Sequence, residues 1–202
     1  MLPRRTFVLL AGALILTLGF SPAAPATAET PEQFVGTLGE EAIRVLADST
    51  IPPEQRTAEF RRLLDKGFNM PLIGQLVLGR HWRTATEEQR AEYLRLFEDF
   101  IVQTYSVRLG QYNGEKFRIA GGRAAPDNTG DTLVTTEIIR PNGPPVRVDW
   151  RVRKAGENLK VVDVIAEGIS MLITQRDEFA AVIQNSGGKV DALLDRLRRR
   201  QL

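Results

Sequence analysis

Cysteine is absent from the 202 residues, and histidine occurs once, at His81. Without cysteine the chain can form no disulfide, carries no thiol nucleophile and offers no thiolate to a metal. One histidine without cysteine is also a poor basis for zinc, so we predict no metal site and no cofactor. A Gly-x-Ser-x-Gly elbow, a glycine-rich phosphate loop and a His-Glu-x-x-His motif are all missing. The commonest signatures of hydrolases and nucleotide-binding enzymes are therefore excluded.

An excess of charge of one sign is missing as well. Lysine and arginine number 27 and acidic residues 25, and two of the basic residues, Arg4 and Arg5, lie in the first 28 positions, which contain no acidic residue. The remainder of the chain is formally neutral. The sequence pI of about 9.1 is therefore no argument for a nucleic-acid partner, and we predict none.

The chain has one long apolar run, from Phe7 to Phe20. This run is shorter than the roughly 20 residues that a membrane-spanning helix needs. It follows Arg4 and Arg5 and precedes Ala26-Thr27-Ala28, which is the order of a secretory signal peptide with its cleavage site. We therefore predict a signal peptide over 1–28, a mature domain over 29–202 and export to the periplasm. Arg4 and Arg5 leave the general and the twin-arginine export routes both open.

The stretch from Val146 to Ile165 predicts an antiparallel hairpin. Valine and tryptophan alternate with charged residues up to Arg153, which is typical of a strand with one buried face. Ala155 to Asn158 forms the turn, and the β-branched residues after Leu159 form the return strand. Two further strands are predicted before this hairpin, separated by a loop from Gly121 to Gly130. We therefore predict a sheet of about four strands.

Helical patterns flank these strands. Thr30 with Gln33, and Thr86 with Gln89, are capping boxes that open amphipathic helices. The order is four helices, four strands and two helices. That order predicts a single α+β domain in which helices cover one face of a curved antiparallel sheet.

Candidate catalytic groups are few. Carboxylates in the strand region and after it could abstract a proton within a curved sheet, and they are Asp149, Asp163, Glu167 and Asp177. Alternation places Asp149 on the face opposite Trp150. Asp163 we expect to accept a hydrogen bond from backbone or arginine, and His81 we expect to be structural. The arginines from Arg196 to Arg200 are interpreted as a solvated helix end or as a docking surface for anionic lipid or an acidic partner.

Three segments carry a family resemblance. Gly79 to Arg90 reads GRHWRTATEEQR, Tyr112 to Glu115 reads YNGE, and Asp163 to Met171 reads DVIAEGISM and continues to Phe179. In this order they resemble the MlaC-type periplasmic phospholipid-binding proteins, also called toluene-tolerance auxiliary proteins, over nearly all of the mature chain. That family includes a hopanoid-associated branch, which the resemblance also covers.

The resemblance implies a carrier without enzymatic activity. Its cargo would be a phospholipid or a hopanoid-type lipid, held in an apolar cavity between sheet and helices. Its partners would be an MCE-domain protein of an inner-membrane ABC transporter and an outer-membrane lipoprotein complex, and we expect a monomer. The predicted lipid-binding residues are Leu72, Ile73, Leu76, Phe97, Phe100, Ile101, Tyr105, Val134, Ile138, Val148, Trp150, Val164, Ile169 and Met171.

Two alternatives remain open from the residues alone. One is an enzyme with a cone-shaped cavity that acts on a small hydrophobic molecule through Asp163, Tyr105 or His81. The other is an interaction module whose apolar faces are filled by its own side chains. Alternation identifies which residues share a face, but it does not separate the wall of a cavity from a packed core.

Overall fold

The structure is a computed structural model that describes residues 28–48, 50–109 and 114–199, with side chains left out at 46 and 107–109. Residues 1–27 of the predicted signal peptide, and Tyr112 and Asn113 of the predicted turn, lie outside the described residues. The described elements are α1 (Pro31–Ala47), α2 (Pro53–Gly67), α3 (Met70–Leu78), α4 (His81–Thr84), α5 (Glu87–Leu109), β1 (Lys116–Ala124), β2 (Thr132–Ile139), β3 (Val146–Ala155), β4 (Asn158–Ala166), β5 (Ile169–Ser170), α6 (Met171–Asn185) and α7 (Val190–Arg199).

The strands form one open antiparallel sheet in the order β1-β2-β3-β4-β5. This arrangement confirms the predicted α+β class. The described sheet has five strands rather than about four, because Glu167 and Gly168 make a tight turn that pairs Ile169 with Ala166. A two-residue strand is too short to produce a periodic pattern in the sequence, so β5 was not predicted.

Strand β1 is longer than the sequence indicates. The predicted loop from Gly121 to Gly130 is wrong for its first four residues, because the strand continues to Ala124. The pairing with β2 shifts between Ile119 and Gly121, and Gly121 has a φ of 139°. Only glycine readily adopts that conformation, so the β-bulge explains why a residue that resembles a loop marker lies inside a strand.

The helix starts follow the sequence closely. Thr30 Oγ1 accepts a hydrogen bond from the Gln33 backbone at 3.2 Å, and the Gln33 side chain accepts one from Thr30 N at 2.9 Å. The same reciprocal pair joins Thr86 and Gln89 before α5. Both predicted capping boxes are confirmed. The four-residue helix α4, which carries His81, was not predicted as a separate element.

The helices lie on one face of the sheet in two layers. Helix α1 packs on β1 and β2, whereas α2, α3 and α6 contact β4. Helices α5 and α7 lie behind this layer, where α5 contacts α2, α3 and α7. The largest core cluster joins α3, α5, α6 and α7 around the fully buried side chains of Tyr93, Phe97 and Phe179. Two smaller clusters join α1 and α2 to the sheet.

The opposite face of the sheet carries charged side chains that form ion pairs with one another. The pairs are Arg118 with Glu137, Arg123 and Arg147 with Asp149, and Arg151 and Arg153 with Asp131. Asp149 therefore lies on the face opposite Trp150, as alternation predicts. Five arginines of this face are each bound to a carboxylate.

Candidate functional site

Two apolar cavities lie between the helices and the sheet. The first, here the α1 cavity, has a volume of about 410 Å³. The second, here the α5 cavity, has a volume of about 390 Å³. Both volumes fall within the range of about 300–1,000 Å³ that small-molecule sites occupy. Their walls are almost entirely aliphatic and aromatic. Such walls suit acyl chains and offer polar ligands few hydrogen-bond partners.

Helix α1 forms the outer wall of the α1 cavity. It contributes Val35, Leu38, Gly39, Ala42, Ile43 and Val45, and the sheet contributes Phe117 and Ile138. A side chain on Gly39 would come within 2.6 Å of the Phe117 ring, so glycine lets α1 approach β1. The close approach makes α1 the cover of this cavity.

Helix α5 forms one wall of the α5 cavity through Phe97, Ile101 and Tyr105, which are spaced four residues apart and so share one helix face. The opposite walls are Ile73 and Val77 of α3, Val164 and Ala166 of β4, and Met171, Leu172 and Gln175 of α6.

Tyr93 and Gly74 fix α5 against α3. The buried Tyr93 hydroxyl donates to the Gly74 carbonyl at 3.0 Å. A side chain on Gly74 would come within 2.7 Å of Leu94 Cδ2. Burial raises the pKa of Tyr93 well above its ordinary value, so the phenol stays protonated as a donor.

Four side chains line both cavities and separate them. They are Phe60, Leu64, Phe68 and Trp150, and we call them the partition. The Phe68 and Trp150 rings meet edge to face at 6.4 Å between centroids, and Phe117 meets Trp150 in the same way at 6.3 Å. Trp150 Nε1 donates to Thr136 Oγ1 at 2.9 Å, and this hydroxyl donates to the Val148 carbonyl at 3.1 Å. The indole is therefore held in one orientation, with its polar atom satisfied.

Both cavities extend from the partition toward the same end of the sheet. Trp150 pairs with Val134 and Val164, and the inner-face residues nearer the end are Phe117, Ile138, Val146 and Ala166. In an antiparallel sheet the start of β1 lies beside the end of β2. Glu115, Lys116 and Arg140 accordingly line the α1 cavity at that end, which we call the mouth.

Asp163 is, among the described residues, the charged one in the wall of the α5 cavity. Its carboxylate accepts hydrogen bonds from Ser170 Oγ at 2.6 Å and from the Leu172 backbone at 3.1 Å. Ser170 Oγ in turn accepts from Ile173 N and caps α6. The expected backbone hydrogen bond to Asp163 is therefore present, and both carboxylate oxygens are used to start α6.

The predicted site residues divide into two groups. Eight line the cavities: Ile73, Phe97, Ile101, Tyr105, Val164 and Met171 the α5 cavity, Ile138 the α1 cavity, and Trp150 both. Six do not: Leu72, Leu76, Phe100, Val134, Val148 and Ile169. Val134 and Val148 are buried in packed core, Phe100 turns toward Phe179, and Leu76 and Ile169 are 39% and 62% exposed.

The α1 wall and three members of the partition were not predicted as site residues. Their amphipathic spacing was visible in the sequence, but the same spacing serves a packed core.

His81 lies in α4, outside the walls of both cavities. Burial and, to a smaller extent, the neighbouring Arg80 lower its pKa. A third hollow of about 550 Å³ near the start of α1 has a mixed wall with five charged residues, Glu29, Lys66, Lys154, Glu157 and Lys160.

Two further properties concern only the described part of the chain. None of the helices that can be examined there is both long and apolar enough to cross a bilayer. Within the same ranges, histidine and carboxylate side chains form no group of three or more that could hold a metal ion.

The fold and the cavities define an α+β domain whose sheet and helices enclose apolar space. Residues 37–199 match the sequence model of the family described as MlaC protein, and the chain belongs to this family. The chain is 26% identical over 132 residues to the intermembrane phospholipid transport system binding protein MlaC of Haemophilus influenzae. That alignment covers 64% of this chain and 60% of the relative, which is less than two thirds of its length.

Two other proteins are similar over more of the chain. The toluene tolerance protein ttg2D of Pseudomonas putida is 26% identical over 197 residues, which cover 93% of this chain and 88% of that protein. A solved structure of the phospholipid-binding protein from Ralstonia solanacearum, in complex with a phospholipid, matches with a TM-score of 0.72 and 26% identity. The match covers 84% of this chain and 95% of that one.

Proposed function

We propose that this protein binds one membrane phospholipid and carries it through the periplasm between the outer and inner membranes. The observation that carries the proposal is the pair of apolar cavities separated by the partition and directed to one end of the sheet. A diacyl lipid would place one chain in each cavity and its headgroup at the mouth. The phospholipid named in the Ralstonia complex, and the transport system named for the Haemophilus relative, support this cargo and this role.

The energetics describe a carrier that exchanges its cargo with a membrane. Two chains of sixteen carbons contain about 30 methylenes, and their burial at about 0.8 kcal/mol each is worth on the order of 20 kcal/mol relative to water. A bilayer offers the same burial, so the cavity has only to match it. Nearly apolar walls meet this condition, because an unpaired polar group in the wall would favour the bilayer.

The proposed role involves no chemical turnover. Asp163, the carboxylate that an enzyme in this cavity would use, is bound to Ser170 and to the first turn of α6. The partners would be an MCE-domain protein of an inner-membrane ABC transporter and an outer-membrane lipoprotein complex, as the family resemblance implies. A rigid polycyclic hopanoid cannot bend around the partition, so we propose a two-chain phospholipid in preference to it.

Native mass spectrometry of the mature protein, purified from its own periplasm without detergent, tests the proposal. We expect one lipid per protein, and extraction should identify a phospholipid with two acyl chains. The mass of a polycyclic lipid would change the proposed cargo to a hopanoid-type lipid and leave the proposed carrier role in place. Protein that is free of lipid and stays free after incubation with vesicles would instead support the interaction module with a filled core.

A further inference from the structure

Arg140 differs from every other arginine of the described strand region, which spans 114–170. The other five each form an ion pair with a carboxylate, which lies on the same strand for Arg147 and on another strand or in the loop before β2 for the rest. Arg140 instead donates to the Pro144 carbonyl, from Nε at 3.1 Å and from Nη2 at 2.8 Å. Among the described residues no carboxylate lies within ion-pair distance of its guanidinium, and Nη1 has no hydrogen-bond partner.

The hairpin between β2 and β3 holds this guanidinium in place. Gly143 turns the chain with a φ of 104°, a conformation that favours glycine, and a side chain there would come within 3.5 Å of Arg140 Nη2. The turn brings the Pro144 carbonyl back to Arg140. A guanidinium fixed along one edge still presents donors on its free side, and this fork matches the geometry of phosphate oxygens.

The register of the sheet places Arg140 at the mouth. Ile138 lies in the wall of the α1 cavity and pairs with Phe117, and Arg140, the first residue after β2, lines the same cavity. Lys116 and Glu115 line the cavity beside it. A lipid whose chain fills the α1 cavity would bring its phosphate to this level, because the phosphate immediately follows the glycerol that joins the chains.

We infer that Arg140 is a specificity residue that binds the phosphate of the lipid headgroup at the mouth of the α1 cavity. The ligand class is a phosphomonoester or phosphodiester attached to an acyl-bearing glycerol. This inference rests on the proposed function and adds to it. It predicts that the protein distinguishes phospholipid from uncharged diacylglycerol, although the two lipids have the same chains.

The test is competitive loading of the delipidated mature protein with dioleoyl phosphatidylglycerol and dioleoylglycerol from mixed vesicles. We expect the wild type to take up the phospholipid with a preference of roughly fivefold, the size of a favourable charge pair at an exposed position. Arg140→Gln should lose this preference and still load diacylglycerol. Arg140→Glu should favour diacylglycerol. Arg118→Gln is the matched control, because Arg118 is an exposed arginine on the opposite face, and it should behave as the wild type.

Each other outcome overturns the inference in a recognisable way. If Arg140→Gln keeps the preference for phospholipid over diacylglycerol, Arg140 does not bind the phosphate, and the proposed carrier function still stands. Wild-type protein that loads neither lipid would remove the proposed function itself. Inorganic phosphate that binds to the lipid-free protein and depends on Arg140 would show a free anion site in place of a headgroup contact. Circular dichroism of each variant confirms that it is folded.

Discussion

Filling one cavity at a time should convert the protein from a binder of two acyl chains to a binder of one. Ala42 lies in the wall of the α1 cavity and Ala166 in the wall of the α5 cavity. In Ala42→Phe or Ala166→Phe, a ring would occupy space that one acyl chain needs. The other cavity and the partition would be unchanged in each variant.

The magnitude follows from the chain that is displaced. One chain of sixteen carbons has about 15 methylenes, worth about 12 kcal/mol of burial relative to water. Exposure of about four of them costs about 3 kcal/mol, which corresponds to a loss of roughly a hundredfold in affinity. Either variant should therefore lose diacyl phospholipid and retain the single-chain lysophospholipid.

Native mass spectrometry after incubation with diacyl or lysophospholipid of one chain length provides the assay. Ala47→Phe on α1 and Ala91→Phe on α5 are matched controls, because both alanines are exposed and lie outside the cavity walls. Both controls should load the diacyl lipid as the wild type does. Full diacyl loading of Ala42→Phe and Ala166→Phe would refute the assignment of one chain to each cavity, and so would loss of both lipids in a folded variant.

Three further predictions concern the framework. Burial alone would raise the pKa of Asp131, but hydrogen bonds from Arg153 and Arg151 outweigh it and hold the pKa at about 2. The ionised Asp131 therefore contributes about 2 kcal/mol to the free energy of unfolding above pH 4, and this contribution is lost as the pH falls toward 2. Unfolding measured at a series of acid pH values should show this loss in the wild type and not in Asp131→Asn. Identical pH profiles would contradict the prediction. Tyr93→Phe should lower the free energy of unfolding by about 1 kcal/mol in urea through loss of the Gly74 hydrogen bond, and an unchanged midpoint would count against that bond. Asp163→Ala should lower the free energy of unfolding by about 1–2 kcal/mol through the start of α6 and leave lipid loading intact. Loss of loading in a folded variant would show that Asp163 contributes to the lipid site and does more than cap α6.

Helix boundaries and the inner face of β3 were predictable because they depend on residues that are near in sequence. Thr30 and Thr86 cap their helices through partners three residues away. Val148 and Trp150 share a face through the two-residue period of a strand. The extension of β1 to Ala124 was missed because a β-bulge at Gly121 depends on pairing with β2, and a glycine in the sequence more often marks a loop.

The candidate site was predictable only in part for a related reason. Phe97 and Ile101 were predicted to line a cavity and do, whereas Val148, on the same strand face as Trp150, is packed. Helix α1 looked like an ordinary amphipathic helix, yet it supplies six of the sixteen residues that line one cavity. Hydrophobic spacing reports which side of an element faces inward, but not whether neighbouring elements meet there or leave a gap.

The sequence alone determined the local features: the two capping boxes, the alternation of β3, the succession of helices and strands that makes an α+β domain, and the lack of cysteine. These depend on propensities and spacings within a few residues. The tertiary structure decided where apolar surface stays unfilled and that Phe60, Leu64, Phe68 and Trp150 divide the space. It also decided that, within the described residues, the Arg140 guanidinium binds the Pro144 carbonyl and forms no ion pair. Cavities and pairings arise from the distances between elements far apart in the chain, and no local pattern encodes those distances.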